Sequence, residues 1–461
     1  MSILAAFMVP HPPMIVPEIG KGSEKQVTDT IVAYDRVADE VAALKPDTLI
    51  ITSPHAVMYA DYFHISPGKA ATGSFRQFRA PGVRFSEQYD TELVNRICAL
   101  ADEAGFPAGT LGERDAALDH GTMVPLWFIR KKFGGGKIVR IGLSGLSLTD
   151  HYRLGQIVAR AVEDTGTRAV FIASGDLSHK LQEYGPYGFA KEGPEYDRRI
   201  MDVCSRAAFG ELFDFDETFC DKAAECGHRS FVIMAGALDG LSVKATVLSH
   251  EDVTGVGYGI CTFYPKETGQ DRHFLKAYQE KAEQECREQT QRSDAYVRLA
   301  RSAVEAWVRS RERISVPEWL PEEMLTRREG AFVSLHRHGR LRGCIGTIMA
   351  TEENVAEEIL QNAISACSRD PRFSPVTADE LSSLEISVDV LGELESIDSP
   401  DELDVKRYGV VVSHGRKRGL LLPNLDGVDT VEEQIRIARQ KGGIREGEPY
   451  RLERFEVVRH F

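Results

Sequence analysis

No stretch of this 461-residue chain stays apolar for the roughly 18 residues that a membrane-crossing helix needs, so a helical membrane protein is excluded. Basic residues are outnumbered: 56 Lys and Arg stand against 70 Asp and Glu, a formal net charge of −14. That balance excludes non-specific nucleic-acid binding as the main role. Paired cysteine motifs are absent as well. Cys98, Cys204, Cys220, Cys226, Cys261, Cys286, Cys344 and Cys367 are scattered, with no CxxC spacing. Such a pattern excludes a zinc ribbon and points to reduced thiols in a cytoplasm. The opening MSILAAFMVPHPPM lacks a basic start and is broken by Pro10, Pro12 and Pro13. It reads as a strand and loop, not a secretory signal. Repeats and low-complexity tracts are lacking too. Ordinary hydrophobic and charged fractions, 42% and 27%, exclude a disordered chain and a coiled coil.

What is present is an alternation of apolar runs and helical periodicity. Residues 4–9, 47–52, 137–143, 168–173, 244–248 and 255–263 read as strands, and 24–44, 87–104 and 150–163 as helices. This rhythm predicts an α/β domain with a largely parallel or mixed sheet flanked by helices. Residues 266–292 are almost all polar and rich in helix formers, which predicts a solvated helical linker. From residue 293 the pattern changes to an amphipathic helix, several alternating strands and a hairpin turning at 414–418. These predict a smaller α+β domain. The expected organisation is therefore 1–265, a linker over 266–292, and 293–461.

Histidine placement carries the most chemistry. His11 follows the first strand in VPHPP, His55 follows DTLIIT in TSPHA, and His179 follows RAVFIA in SGDLSH. Ligands of open α/β sheets collect beyond the carboxyl ends of the strands. Three imidazoles leaving three strands there are positioned to converge. Neutral imidazole suits Fe, Zn, Cu and Ni, and two histidines with one carboxylate leave iron open positions for substrate and dioxygen. Each histidine taken alone reads more readily as a surface or hydrogen-bonding turn residue; three in equivalent positions shift that reading. His120, in LDHGTMVPLWF, follows Asp119, which also reads as a helix cap. AAECGHRSFVIMAGAL offers Glu225 as an anionic ligand and Cys226 as a softer alternative. His250 and Glu251 are a weaker reserve for the anionic position. FGGGK, at 133–137, fails as a phosphate loop because no Ser or Thr follows the Lys. HRHG, at 336–339, reads as a hairpin turn.

The HPP with His11, the SPH with His55, DHGTMVPL with His120 and SGDLSH with His179 resemble the class III extradiol ring-cleavage dioxygenases. The type member of that family is the catalytic β-subunit of protocatechuate 4,5-dioxygenase. The resemblance spans about residues 1–265 and extends to the metal-binding Memo proteins. It implies non-haem Fe(II) held by His11, His55 and Glu225, with His179 as acid/base and His120 in the substrate pocket. A catechol-type small molecule and dioxygen would be the reactants. ECGHRS departs from the dioxygenase pattern and resembles the Memo segment in which a cysteine, here Cys226, lines the metal site. Asp176 and His179 match the Memo GD-x-x-H pattern. That branch implies Zn or Cu as the alternative metal, in a redox or regulatory role.

LRGCIGT at 341–347, SRDPRFSPV at 368–376 and the terminal LERFEVVRH resemble the AMMECR family. The two-domain order resembles proteins of AmmeMemoRadiSam systems, which occur alongside a radical SAM enzyme, and so implies such a partner. Within the motif, Gly343 and Gly346 allow close backbone approach. Arg342 offers a planar donor fork for a carboxylate or phosphate. Cys344 reads either as a nucleophile or as a buried strand residue, and Arg342 either as a ligand-binding group or as a brace for an acid such as Asp370. The sequence leaves homo-oligomerisation open.

Overall fold

The computed structural model describes residues 3–114, 117–269, 272–337, 340–425 and 427–461. His338 and Gly339, the end of the HRHG turn, lie outside the described residues. Two compact units divide the chain, Met1–Tyr278 and Gln279–Phe461. The polar stretch between the two patterned halves contains a helix, Phe274–Arg292, and the division falls inside it.

The first unit runs β1 (Ile3–Val9), α1 (Thr28–Leu44), β2 (Thr48–Ser53), β3 (Ala70–Phe75), β4 (Ala80–Gln88), α2 (Thr91–Glu103), α3 (His120–Lys132), β5 (Lys137–Gly142), α4 (Leu148–Thr165), β6 (Ala169–Ser174), α5 (Glu192–Arg206), α6 (His228–Ala237), β7 (Leu241–Glu251) and β8 (Tyr258–Thr268). Six of these strands form one mixed sheet in the order β5-β2-β6-β1-β8-β7. The first four are parallel, and β8 and β7 are antiparallel. Every residue of β2 and β6 is buried, as expected of parallel strands covered on both faces. Side chains alternate between two cores. Ala5, Phe7 and Val9 join Tyr34 of α1 and Phe128 of α3 on one face. Ala6 and Met8 join Tyr152 of α4 and Phe231 of α6 on the other. This period of two is the reason continuous apolar runs, and not alternating ones, mark these strands.

The helix expected over 87–104 begins later. Residues 80–88 pair with β3 as a hairpin, and the Asp90 carboxylate accepts the Leu93 amide to start α2. A cap of this kind sets the first turn more sharply than periodicity does.

The second unit is α7 (Ala295–Ser310), β9 (Ala331–Arg337), β10 (Arg340–Gly346), α8 (Val355–Ser368), β11 (Leu384–Leu391), β12 (Tyr408–His414), β13 (Lys417–Leu421), α9 (Val431–Lys441) and β14 (Arg451–His460). Its antiparallel sheet has the order β10-β9-β11-β14-β12-β13, with the short Glu395–Ile397 strand also on β14. Helices α7 and α8 cover one part of it, through Leu299, Val304, Ile359 and Leu360. Helix α9 covers β12 and β13 through Ile435 and Ala438.

Candidate functional site

Strands β2, β6 and β1 are consecutive in the sheet, and their carboxyl ends lie level. Thr52 pairs with Ala173, and Ser174 with Val9. The chain beyond each strand therefore opens on one edge. His11 leaves β1 there, His55 leaves β2, and Asp176 and His179 leave β6. Cys226 arrives from the other side, just ahead of α6. Gly175 and Gly227 make this approach feasible: a Cβ built on Gly175 would lie 2.1 Å from the Gly227 Cα. Two backbones crossing this closely place the Asp176 amide on the Cys226 sulfur, at 3.3 Å.

The donor atoms converge. His55 Nε2 lies 3.0 Å from His11 Nε2, and Cys226 Sγ lies 3.7 Å from the same nitrogen. All three fall within 4.8 Å of one another, as do donors of Asp176, His179 and Cys226. Donors about 2.0–2.3 Å from one ion stand roughly 3–3.6 Å apart, so both separations agree to within about 0.2 Å. The tautomer of His11 fits as well. The Ser174 hydroxyl gives its proton to the Gly121 carbonyl at 2.6 Å, so at 3.0 Å it accepts from His11 Nδ1–H. Nε2 of His11 is then a bare lone pair, as a ligand must be. Burial, followed by the neighbouring His55, pushes the His11 imidazole down to about 3 and keeps it neutral. The donor set thus fits a transition metal.

Surrounding groups tune this edge. Asp176 accepts the His11 backbone N–H at 2.7 Å, and burial raises its carboxyl to about 6. Burial also lowers the His179 imidazole. Among the described residues its buried Nε2 has no hydrogen-bond partner, and its ring stacks on Tyr187 at 5.1 Å. A neutral imidazole with a buried, unpartnered nitrogen is suited to taking or giving a proton. His120 lies against His55 with ring centroids 3.9 Å apart and the planes tilted by 32°, and meets His11 edge-on at 5.5 Å. Burial and these two histidines push it down to about 3. Asp119 caps α3 by accepting the Thr122 amide and also takes the Ser53 hydroxyl, so it is the helix cap that the sequence allowed. Gly121 lets this helix end abut the site, because a Cβ there would sit 2.3 Å from Ser53 Oγ.

Glu225, expected as the anionic ligand, is not among the converging donors. Its carboxylate accepts the His228 amide at 2.6 Å at the start of α6, and burial lifts it to about 7. Cys226, the alternative, stands in the cluster instead. The next histidine, His228, turns away to the Leu212 carbonyl. His250 is held by Asp197 at 2.8 Å, and Glu251 by the Thr30 amide and hydroxyl. Sequence reasoning assigned no role to Ser174. The signal for it was its place at the last position of β6, beside the strand that carries His11.

The second unit uses its motif differently. Arg342 grips Glu380 with two bonds of 2.8 and 3.0 Å and also reaches the Ser374 carbonyl. The braced acid is thus Glu380, where the sequence suggested Asp370. Asp370 accepts the Cys344 amide at 2.9 Å and is held by Arg372. A Cβ on Gly343 would lie 2.3 Å from the Ala366 carbonyl, and one on Gly346 2.2 Å from the Phe332 ring. Cys344 Sγ accepts the Ser334 hydroxyl at 3.3 Å and faces a cavity of about 700 Å³. LRGCIGT and SRDPRFSPV therefore lock each other. All eight cysteines are free thiols, and among the described residues no helix is long and apolar enough to cross a membrane.

Comparison with known proteins agrees with this division. Residues 5–261 match the family described as the catalytic LigB subunit of aromatic ring-opening dioxygenase, and residues 297–460 match the AMMECR1 family. A Clostridium acetobutylicum protein is 42% identical over 469 aligned residues, covering 100% of this chain and 99% of its own length. A Thermotoga maritima protein is 50% identical over 167 residues, 36% of this chain and 96% of its own. Among solved structures, a Pyrococcus horikoshii protein is 31% identical over 36% of this chain and 88% of its own, with a TM-score of 0.33. An Escherichia coli K12 protein is 14% identical over 56% of this chain and 99% of its own, with a TM-score of 0.38. With the histidine edge lying wholly inside the first matched region, the chain belongs to the LigB family of aromatic ring-opening dioxygenase subunits and carries an AMMECR1 domain as its second unit.

Proposed function

We propose that the first unit is a metal-dependent oxidoreductase that opens or oxidises a catechol-like, chelating small molecule with dioxygen. His11, His55 and Cys226 would hold the ion, with Fe(II) as the assigned metal. The observation that carries this reading is the convergence of two imidazole nitrogens and one sulfur within 4.8 Å, with the His11 lone pair aimed inward by Ser174. The ion would supply Lewis acidity and, as iron, a binding position for dioxygen. The chain's own residues do the rest. His179 Nε2, with no hydrogen-bond partner among the described residues, takes a proton from a substrate hydroxyl and returns it later. His120 and His55 form a ring wall against which a planar substrate is oriented. Asp176 fixes the His11 backbone and so the direction of its ring.

A thiol in the donor set favours a second reading, in which Zn or Cu(I) is held for a redox or regulatory purpose without ring cleavage. One experiment separates the two. The protein is loaded anaerobically with Fe(II), mixed with simple catechols, and oxygen uptake is followed. Uptake that is lost in His179→Ala, with iron still bound, supports the oxygenase. No uptake with the iron fully loaded supports the second reading.

A further inference from the structure

His55 and His120 open on a cleft of about 1520 Å³. That volume exceeds the roughly 300–1,000 Å³ typical of a site for a drug-sized ligand, and a single aromatic ring would leave most of it unfilled. One wall is the β3–β4 hairpin. Its register pairs Thr72 with Ser86 and Ser74 with Arg84. Ala71 and Phe75 are buried in the core, whereas Thr72, Ser74, Arg84 and Ser86 line the cleft, together with Gly73 and the buried Phe85. Arg76 follows at the hairpin turn and lines it too.

Of the three described arginines that line this cleft, one is spoken for. Arg140 gives its guanidinium to Ser66 Oγ and the Ala117 carbonyl, both at 2.6 Å. Arg130 is clamped on Glu87. Arg76 and Arg84 differ: both are exposed, and neither has a carboxylate partner among the described residues. The bond Arg84 makes is a long one, from Nε–H to the Pro81 carbonyl at 3.4 Å. Two unpaired guanidinium groups on a hydroxyl-rich wall are unexpected in a chain with a net charge of −14.

We infer that the molecule handled at the histidine–cysteine edge carries an oxyanion, phosphate or carboxylate, which Arg76 and Arg84 hold while its other end meets His55 and His120. Guanidinium is the side chain best matched to such a group, through paired charge-assisted hydrogen bonds. Thr72, Ser74 and Ser86 add neutral donors along the same face. The substrate is thus an extended molecule with a polar, negatively charged tail. This inference rests on the reading of the edge as a metal centre.

The test uses the full chain with its metal bound and two probes, phenyl phosphate and benzoate, each a ring with one oxyanion and no adjacent diol. Binding is measured by calorimetry on the wild type, on Arg76→Gln/Arg84→Gln and on the Arg76→Lys/Arg84→Lys protein, with metal content determined on each sample. At least one probe binds the wild type, weakens at least about tenfold in the glutamine variant, and weakens in the wild type as salt is raised. The lysine variant falls between. The tighter probe identifies the oxyanion. No binding of either probe to the wild type, or equal binding to the glutamine variant, overturns the inference. Metal content separates the two claims. Intact metal without arginine-dependent binding removes this inference alone, whereas a wild type that holds no metal removes the metal centre itself.

Discussion

Asp176 and Glu225 in the first unit and Asp370 and Glu380 in the second are the same two side-chain types in sheltered positions, yet they are held in opposite states. Burial raises Asp176 to about 6 and Glu225 to about 7. In the second unit, Arg372 bonded to Asp370 holds that carboxyl far below the usual range, and Arg342 with the Thr377 amide holds Glu380 down at about 2, against its own burial. The second unit supplies its own cations and spends them on bracing. The first leaves the Asp176 carboxyl, imidazoles and a thiol crowded at one edge, and among the described residues no cationic side chain is bonded to Asp176, His11, His55 or Cys226. Groups perturbed by burial and crowding mark functional sites more often than groups neutralised by a partner. The unusual motif LRGCIGT is thus braced by ion pairs and close packing, while the modest tripeptides SPH and GDL supply donors that converge at one edge.

This contrast can be broken most severely at the backbone crossing. Gly175→Ala would force its Cβ against Gly227, with an expected cost of about 3 kcal/mol to the first unit. Calorimetry should show an earlier transition for that unit, together with lost metal binding. Removing a brace in the second unit should do the reverse. Arg342→Met leaves Glu380 with only the longer Arg337 contact at 3.2 Å and costs that unit about 2 kcal/mol, while the metal content of the first unit stays unchanged. Ser174→Ala is subtler: it frees the His11 tautomer without touching a donor atom. Metal affinity should fall roughly 10–100-fold with the fold intact, the usual size of such an effect. The smallest change is the response to acid. Glu380 has a folded value of about 2, below its ordinary 4.5, so its contribution is fully present above about pH 4.5. It is lost as pH falls toward 2. Melting of the second unit followed between pH 5 and 2.5 should show stability declining with acid, and less steeply in Glu380→Gln.

The sequence made the edge legible because parallel strands end together: three histidines placed after apolar runs had to meet if β1, β2 and β6 were neighbours, and they are. The choice between Glu225 and Cys226 was not legible. The two residues are adjacent, and the start of α6 decides which points inward by claiming the Glu225 carboxylate. The brace on Arg342 was misassigned to Asp370 for a similar reason, since both acids follow α8 and loop geometry selects Glu380. The β3–β4 hairpin was missed because its exposed face is too polar, and its strands too short on the buried side, to show as an apolar run. Arg76 and Arg84 were hidden with it.

The most direct test is metal analysis after anaerobic Fe(II) reconstitution of the wild type, His55→Ala, Cys226→Ala and Glu225→Gln. The structure predicts about one ion per chain in the wild type, its loss in the first two variants and its retention in Glu225→Gln. Iron kept by both His55→Ala and Cys226→Ala, or lost in Glu225→Gln while Cys226→Ala retains it, would contradict the histidine–cysteine centre.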